Sequence, residues 1–407
     1  MSDSDPLGGD DPFKGMPFLG DLSRMIQQQG PIAWDAARQL SHSIATGGES
    51  EPNVDPLERI RFEQLARVAD LQVANATGLM PSVTGRGVNV VPVTRSQWVA
   101  ATLDAYRPLF EQLAGSLGGT PVDASGRTTS GELDPFEDPM GDPTAAWLGN
   151  IMQFLSPMMM GMAAGSMVGH LSTRSFGQYD LPIPRPAGDD LLVLVPTIDE
   201  FGREWSLEPD DLRLWVCLHE VTHHAVLGVP HVRAQLERLL QDFVAGFHTD
   251  PNALENRLGD IDPTTMSDLA GIQQLFSDPE VLLGAMRSPA QDALLPRLDA
   301  LVAVIVGYVD HVMDGIGATL VASYDQVTEA MRRRRVEAAE SDRYVEQLFG
   351  LQLSQDRYDR GATFVDGVVE RAGEAALERL WHSERELPTP AELDAPGLWL
   401  ARIDLPT

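Results

Sequence analysis

Apolar positions recur at intervals of three and four residues over most of the chain, the spacing of helices with one buried face. A helical region opens at Pro31 and continues through Pro56–Ala69, with apolar residues at helical spacing. Val88 to Thr94 alternates as a short strand, and Ser96 then caps a helix that turns Trp98, Leu103, Tyr106 and Leu109 toward a core. Further on, Gln178–Pro184 and Leu191–Pro196 suggest a small β-hairpin. The remainder reads as helix, with a polar loop around Asp250–Ser267. No internal period repeats. The expected fold class is mainly α with a small β element.

Breaks in the pattern set the boundaries. Residues 1–15 are rich in Gly, Pro, Ser and acids and read as a disordered tail, leaving 16–407 as a single domain. Residues 115–145 are dominated by Gly, Ser, Pro, Thr and acids, so a flexible internal loop is expected there. The stretch from Trp147 to Ser172 carries no Asp, Glu, Lys or Arg and is long enough to span a bilayer. It contains Asn150, Gln153, Pro157 and His170, and it lacks a strongly basic flank. Gly161, Gly165 and Gly169 put a glycine stripe on one helix face, which lets another helix approach closely. The expected reading is a buried helix without membrane insertion.

Charge narrows the partners. Hydrophobic residues make up 43% and charged residues 22%, as in an ordinary globular protein, but the formal net charge is −30. That field repels nucleic acid and anionic lipid, so neither is an expected partner. Lys14 is the sole lysine and Cys217 the sole cysteine, which rules out an intramolecular disulfide. Met1–Asp11 lacks the basic and apolar regions of a signal peptide, and a cytoplasmic location is expected.

The chemistry concentrates between Ser206 and Pro230. Pro209 suits the first turn of a helix, and Asp210 and Asp211 complement its positive end. Gly228 and Pro230 stop it. On this helix His219 and His223 share a stripe with Leu212, Trp215, Val216, Val226 and Leu227, so both imidazoles face inward one turn apart. Two ring nitrogens at that spacing can reach one Zn2+ at about 2.0–2.1 Å. Glu220 is rotated by roughly 100° from His219, where it can take a proton from a metal-bound water without ligating the metal. The HExxH pattern therefore predicts zinc, His219 and His223 as ligands, and Glu220 as general base. The neighbouring His224 falls off the inward stripe and is expected to face solvent or support a ligand.

The third ligand is open. His231 arrives two residues too late for an HExxHxxGxxH pattern. A later helix, Leu298–Gly315, carries Val306, Asp310 and Asp314 at four-residue steps beside Tyr308 and His311. In the gluzincin arrangement such a helix supplies Glu and, four residues on, Asp; here the Glu position is Val306. Asp310, one turn further on the same face, is the remaining candidate ligand. His311 and Tyr308 are candidates for supporting a ligand or touching substrate. Arg332–Arg335 reads as a solvated helix face pairing with Glu337 and Glu340.

These segments resemble the actinobacterial zincin-like metallopeptidases of unknown substrate, a family that includes proteins named as hydrolases and others linked to biosynthesis of a deazaflavin coenzyme. The resemblance lies in Gly30–Leu40, Val91–Val99, Leu218–His223, Gly307–Asp314 and Phe364–Arg371. It implies a zincin-like helical fold around the HExxH helix and a soluble protein. It also implies a Glu ligand at the position held here by Val306. Two functions follow as expectations. One is a zinc-dependent hydrolase, most simply a peptidase, acting through a metal-activated water. The other is a non-catalytic zincin-like scaffold or binding protein that has lost its third metal ligand.

Overall fold

The computed structural model describes residues 30–118, 143–249, 285–286, 288–337, 345–351 and 353–405. The expected tail at 1–15 and the polar loop at Asp250–Ser267 lie outside these residues, as does 119–142 of the expected internal loop. Residues 115–118 of that loop end a helix and 143–145 begin the next one.

Helices dominate, as the spacing of apolar residues predicts. In chain order they are α1 (Trp34–Thr46), α2 (Pro56–Thr77), α3 (Arg95–Gly118) and α4 (Pro143–Ser172). Then come α5 (Val195–Glu204), α6 (Pro209–Gly228), α7 (Pro230–Ala245), α8 (Pro289–Leu320), α9 (Tyr324–Val336) and α10 (Gln355–Ala372). A 3-10 segment (Glu374–Trp381) and the short helices α11 (Pro390–Leu393) and α12 (Pro396–Ile403) close the C-terminal side, where Trp399 is fully buried edge-on to Phe364.

The glycine stripe works as a helix-packing surface. A Cβ on Gly165 would stand 2.5 Å from the Ala37 carbonyl oxygen, and one on Gly169 2.8 Å from Ile44 Cβ, so α4 lies directly on the α1 backbone. Among the described residues no helix is long and apolar enough to cross a membrane.

The β element differs from the expected hairpin. Strand β1 (Asn89–Val93) pairs in parallel with β2 (Asp190–Leu194), in register from Asn89 opposite Asp190 to Val93 opposite Leu194. Residues 178–184 form no strand. Pro182 and Pro184 cannot donate to a ladder, and the segment instead runs beneath β2, with Gln178 Nε2 donating to the Asp190 carbonyl (2.9 Å). A second, two-residue pair joins β3 (His248–Thr249) to β4 (Ala285–Met286).

Two long helices frame the interior. Helix α6 packs against α2, α7 and α8, and α8 packs along α10. Ser288 and Gln291 form a reciprocal capping box at the start of α8. Asp211, in the first turn of α6, accepts bonds from the Ser323 N–H (2.7 Å) and hydroxyl (2.6 Å), tying α6 to the start of α9.

Candidate functional site

Helix α6 has the predicted bounds and buries nearly its whole middle, Trp215 to Leu227. The two imidazoles lie together, with ring centroids 4.4 Å apart and a tilt of 54°. Trp215 stacks under His219 at 5.0 Å and Tyr179 under His223 at 6.1 Å. His223 Nδ1 is 3.2 Å from the His219 carbonyl oxygen, so Nδ1 carries the proton in that bond and Nε2 keeps its lone pair. Burial pulls the His219 pKa down to about 4 and holds His223 well below the usual imidazole value. Both rings are therefore neutral at pH 7.

Glu220 lies between His219 and the loop that follows α4. Its Oε2 accepts from the Gln178 N–H (2.7 Å) and the Tyr179 N–H (3.1 Å), and its Oε1 lies 3.5 Å from His219 Nδ1. The carboxyl rests on Gly177, where a Cβ would stand 2.5 Å from Oε2. Burial first, and then the charge of Asp180, push its pKa up to about 8. Asp180 completes the loop by accepting from the Phe176 N–H (2.6 Å), the Gly177 N–H (3.1 Å) and Arg334 Nη2 (3.0 Å). Burial alone would raise its pKa, but Arg334 and the two N–H groups outweigh it and hold it low. Arg185, 5% exposed, closes the loop from behind. It donates to Thr102 (3.1 Å), Tyr106 (3.3 Å) and the Gln178 carbonyl (3.2 Å), with its guanidinium 4.5 Å over the Tyr106 ring. Sequence reasoning missed Gly177, Asp180 and Arg185. The available signal was a glycine that follows Phe176 and precedes Tyr179 by two residues, just past an apolar helix.

His224 does not face solvent. It is 3% exposed, and its Nδ1 is 3.0 Å from the Tyr179 hydroxyl, so the ring that stacks on His223 is itself held by His224. Burial lowers the His224 pKa to about 4. With Tyr179 roofing α6 from the loop side, the face expected to be wet is covered.

On the opposite side α8 presents Asp310, whose charge reaches both His219 and His223. Its carboxylate is taken: Arg335 Nη1 and Nη2 each donate to one oxygen at 3.0 Å, in a bidentate fork. The Arg335 guanidinium lies 3.9 Å over the Tyr358 ring, and Arg335 acts on both imidazoles with the opposite sign to Asp310. Val306 is buried at 1% exposure and offers no donor. Among the described residues, no three His, Cys, Asp or Glu side chains stand close enough to share a metal ion.

The other candidates are engaged elsewhere. Tyr308 packs edge-on against Trp381 at 4.8 Å, and His311 Nε2 pairs with Glu374 at 3.0 Å. Asp314 accepts from the Tyr324 hydroxyl (2.7 Å), and His231 sits half-buried in the first turn of α7. The arginine run divides. Arg332 and Arg333 are exposed and pair with Glu329, as a solvated face would. Arg334 and Arg335 fold inward instead, Arg334 lying 3.9 Å over Phe176. Aromatic faces and the carboxylates of Asp180 and Asp310 offset the desolvation of these weakly hydrated guanidiniums.

Most of the chain resembles a solved structure and a sequence family. A crystal structure of a "putative hydrolase with a novel fold" from Chloroflexus aurantiacus is similar in fold, with a TM-score of 0.62 at 22% identity, over 92% of this chain and 100% of that one. No curated protein matches the chain. The sequence profile of the zincin-like metallopeptidases matches residues 32–400, a span that takes in the HExxH helix, the arginine run and α8 alike. Nearly the full length is thus covered, and the chain belongs to the zincin-like metallopeptidase family.

Proposed function

We propose that this chain is a non-catalytic member of its family, in which the HExxH side chains hold the fold together and form no hydrolytic zinc centre. The family implies zinc, and the residues here do not fit it. Structural and catalytic zinc sites use at least three protein donors, and among the described residues this site brings together two imidazoles. The observation that carries the reading is the Asp310–Arg335 fork beside a valine at 306, which leaves no donor at 306 and engages both oxygens of the Asp310 carboxylate with a guanidinium. Glu220 supports it as well. A general base must reach a water, and this carboxyl is packed on Gly177 with two backbone N–H groups on one oxygen. The motif then ties α6 to the 176–180 loop, while the two Asp–Arg pairs tie α9 to that loop and to α8.

A zinc-dependent peptidase is the second reading, favoured by His223. Its Nδ1 is oriented by a backbone carbonyl, the arrangement common to metal-ligating histidines. That reading takes His219 and His223 as ligands, Glu220 as general base and Asp310 as third ligand, and it requires Asp310 to leave Arg335.

Metal analysis separates the two. The full chain, purified without chelators, is expected to carry far less than one equivalent of zinc and to leave peptide substrates intact. One equivalent of zinc that disappears in His219→Ala and His223→Ala overturns the scaffold reading.

A further inference from the structure

We infer that the solvent face of α2 is a self-association surface, on which a second copy of this chain docks its own α2 antiparallel, about a two-fold axis at Gln64. The inference is independent of whether the site on α6 binds zinc.

Helix α2 is apolar on two opposite sides. Phe62, Ala66 and Val73 turn inward, where α2 packs on α6 and β1. About 180° round the helix, Leu57, Ile60, Val68 and Leu71 are between 40 and 60% exposed. A helix apolar on both sides suits a place between two partners, and here the outer side faces solvent. Single exposed apolar side chains are ordinary. A row of four along about 21 Å of one helix is the mark of a contact surface.

The row is symmetric. Ile60 and Val68 stand four residues either side of Gln64, and Leu57 and Leu71 stand seven either side. At about 100° per residue, all four lie within about 40° of Gln64. An antiparallel copy therefore sets Leu57 beside Leu71 and Ile60 beside Val68 at both ends of the contact, with Gln64 against Gln64 at its centre. A two-fold interface demands this property, because each residue must meet the one that meets it in return. A primary amide both donates and accepts, so the two Gln64 side chains can pair, and a polar pair at the seam fixes the register. A lipid surface or an unrelated protein requires no such symmetry.

Charge is arranged to match. The chain carries a net charge of −30, so two copies repel over most of their surface. On α2, by contrast, Arg59, Arg61 and Arg67 balance Glu58, Glu63 and Asp70. Glu63 and Arg67 form an exposed ion pair on one flank of the row. The antiparallel arrangement brings Arg67 of each copy within about 3 Å, measured along the axis, of the other's Glu63, closing a ring of four alternating charges. Arg61, on the opposite flank, is already paired with Glu58 at 2.8 Å.

The test uses the full chain in about 0.3 M salt, where long-range repulsion is screened. Sedimentation velocity is expected to show a monomer–dimer equilibrium with a Kd on the order of ten micromolar, as suits a single helix pair. Ile60→Glu and Leu71→Lys each place a charge in the seam, and each should weaken the dimer by about tenfold or more without shifting the thermal midpoint. Glu63→Arg and Arg67→Glu should each dimerise more weakly alone than when mixed, because only the mixture restores opposite charges across the contact. Orientation is read by single cysteines, since Cys217 is buried. Under oxidised glutathione, Leu57→Cys should cross-link to Leu71→Cys and not to itself. A chain that stays monomeric at about 200 μM, well above the expected Kd, overturns the inference whatever else covers the row. So does a dimer indifferent to both Ile60→Glu and Leu71→Lys, or one in which Leu57→Cys cross-links to itself. Failure of both seam variants to fold overturns it too, because it assigns the row to the core of the fold.

Discussion

Gly177→Ala tests whether Glu220 is a fixed part of the fold. The φ of Gly177 is not positive, so the backbone accepts alanine and the effect comes from space alone. The new Cβ would stand 2.5 Å from Glu220 Oε2 and 2.7 Å from Oε1, well inside van der Waals contact. Because Glu220 is 1% exposed, its carboxyl has no solvent to retreat into and must leave the Gln178 and Tyr179 N–H groups. Two buried donors left without partners cost about 1–3 kcal/mol each, and overpacking adds about 1–3 kcal/mol. Partial relaxation lowers the sum, and a loss of roughly 3–5 kcal/mol is expected. Urea denaturation followed by circular dichroism measures it. The reasoning also requires coupling. In Glu220→Ala the carboxyl is gone, so adding Gly177→Ala should cost at least about 2 kcal/mol less than it does in wild type. A loss under about 1 kcal/mol, or strict additivity, would show that Glu220 moves freely and would return it to the pool of candidate catalytic bases.

Two further outcomes are expected. Stability of the metal-free protein should fall as pH drops from 6.5 to 4. His219 and His224, each lowered to about 4, stay neutral in the fold while the unfolded chain binds protons, a loss of up to about 3 kcal/mol per group. Glu220 acts in the opposite sense: with its pKa raised to about 8, its contribution is full below 4.5 and fades as pH rises through 8. Denaturation midpoints should therefore peak between these limits, and a midpoint that rises steadily from pH 6.5 to 4 would contradict the burial of these imidazoles. Gly165→Leu should destabilise by about 3 kcal/mol or more, because even its Cβ would press on the Ala37 carbonyl; calorimetric melting unchanged from wild type would mean that α1 and α4 can separate.

Local chemistry made much of this legible in the sequence. Helix α6 begins at Pro209 and ends at Gly228 as its punctuation predicts, and the inward histidine pair follows from four-residue spacing. The missing acid at 306 was also visible, since it needs only the register of one helix. What escaped depends on contacts between distant segments. Arg334 and Arg335 read as surface because a charge run is solvated unless something buries it, and the covering groups, Phe176 and Tyr358, are more than 20 positions away in sequence. The solvent-facing alternative for His224 failed for the same reason, since helical periodicity cannot anticipate a loop laid over the polar face. The parallel pairing of β1 with β2 replaced a plausible hairpin because no local signal fixes which strand a short apolar segment will meet.

That parallel pairing bears on the order of folding. Asn89 and Asp190 are 101 positions apart, so the ladder closes only after α3 and α4 have been brought round. The entropy of closing so long a loop delays such contacts relative to those within helices. The Glu220 loop is bound to the same strand, through the Leu194 N–H on the Phe176 carbonyl (2.7 Å) and through Gln178 on Asp190. Strand pairing and docking of that loop on α6 should therefore form as one late kinetic unit, and in native-state fluctuations they should open as one. The amides of residues 176–180 and 190–194 would then exchange with solvent at a common rate, faster than those of α6 beneath them. In this order of events α6 is built first as an exposed amphipathic helix, and its histidines are sealed only when a strand encoded a hundred residues earlier finds its neighbour.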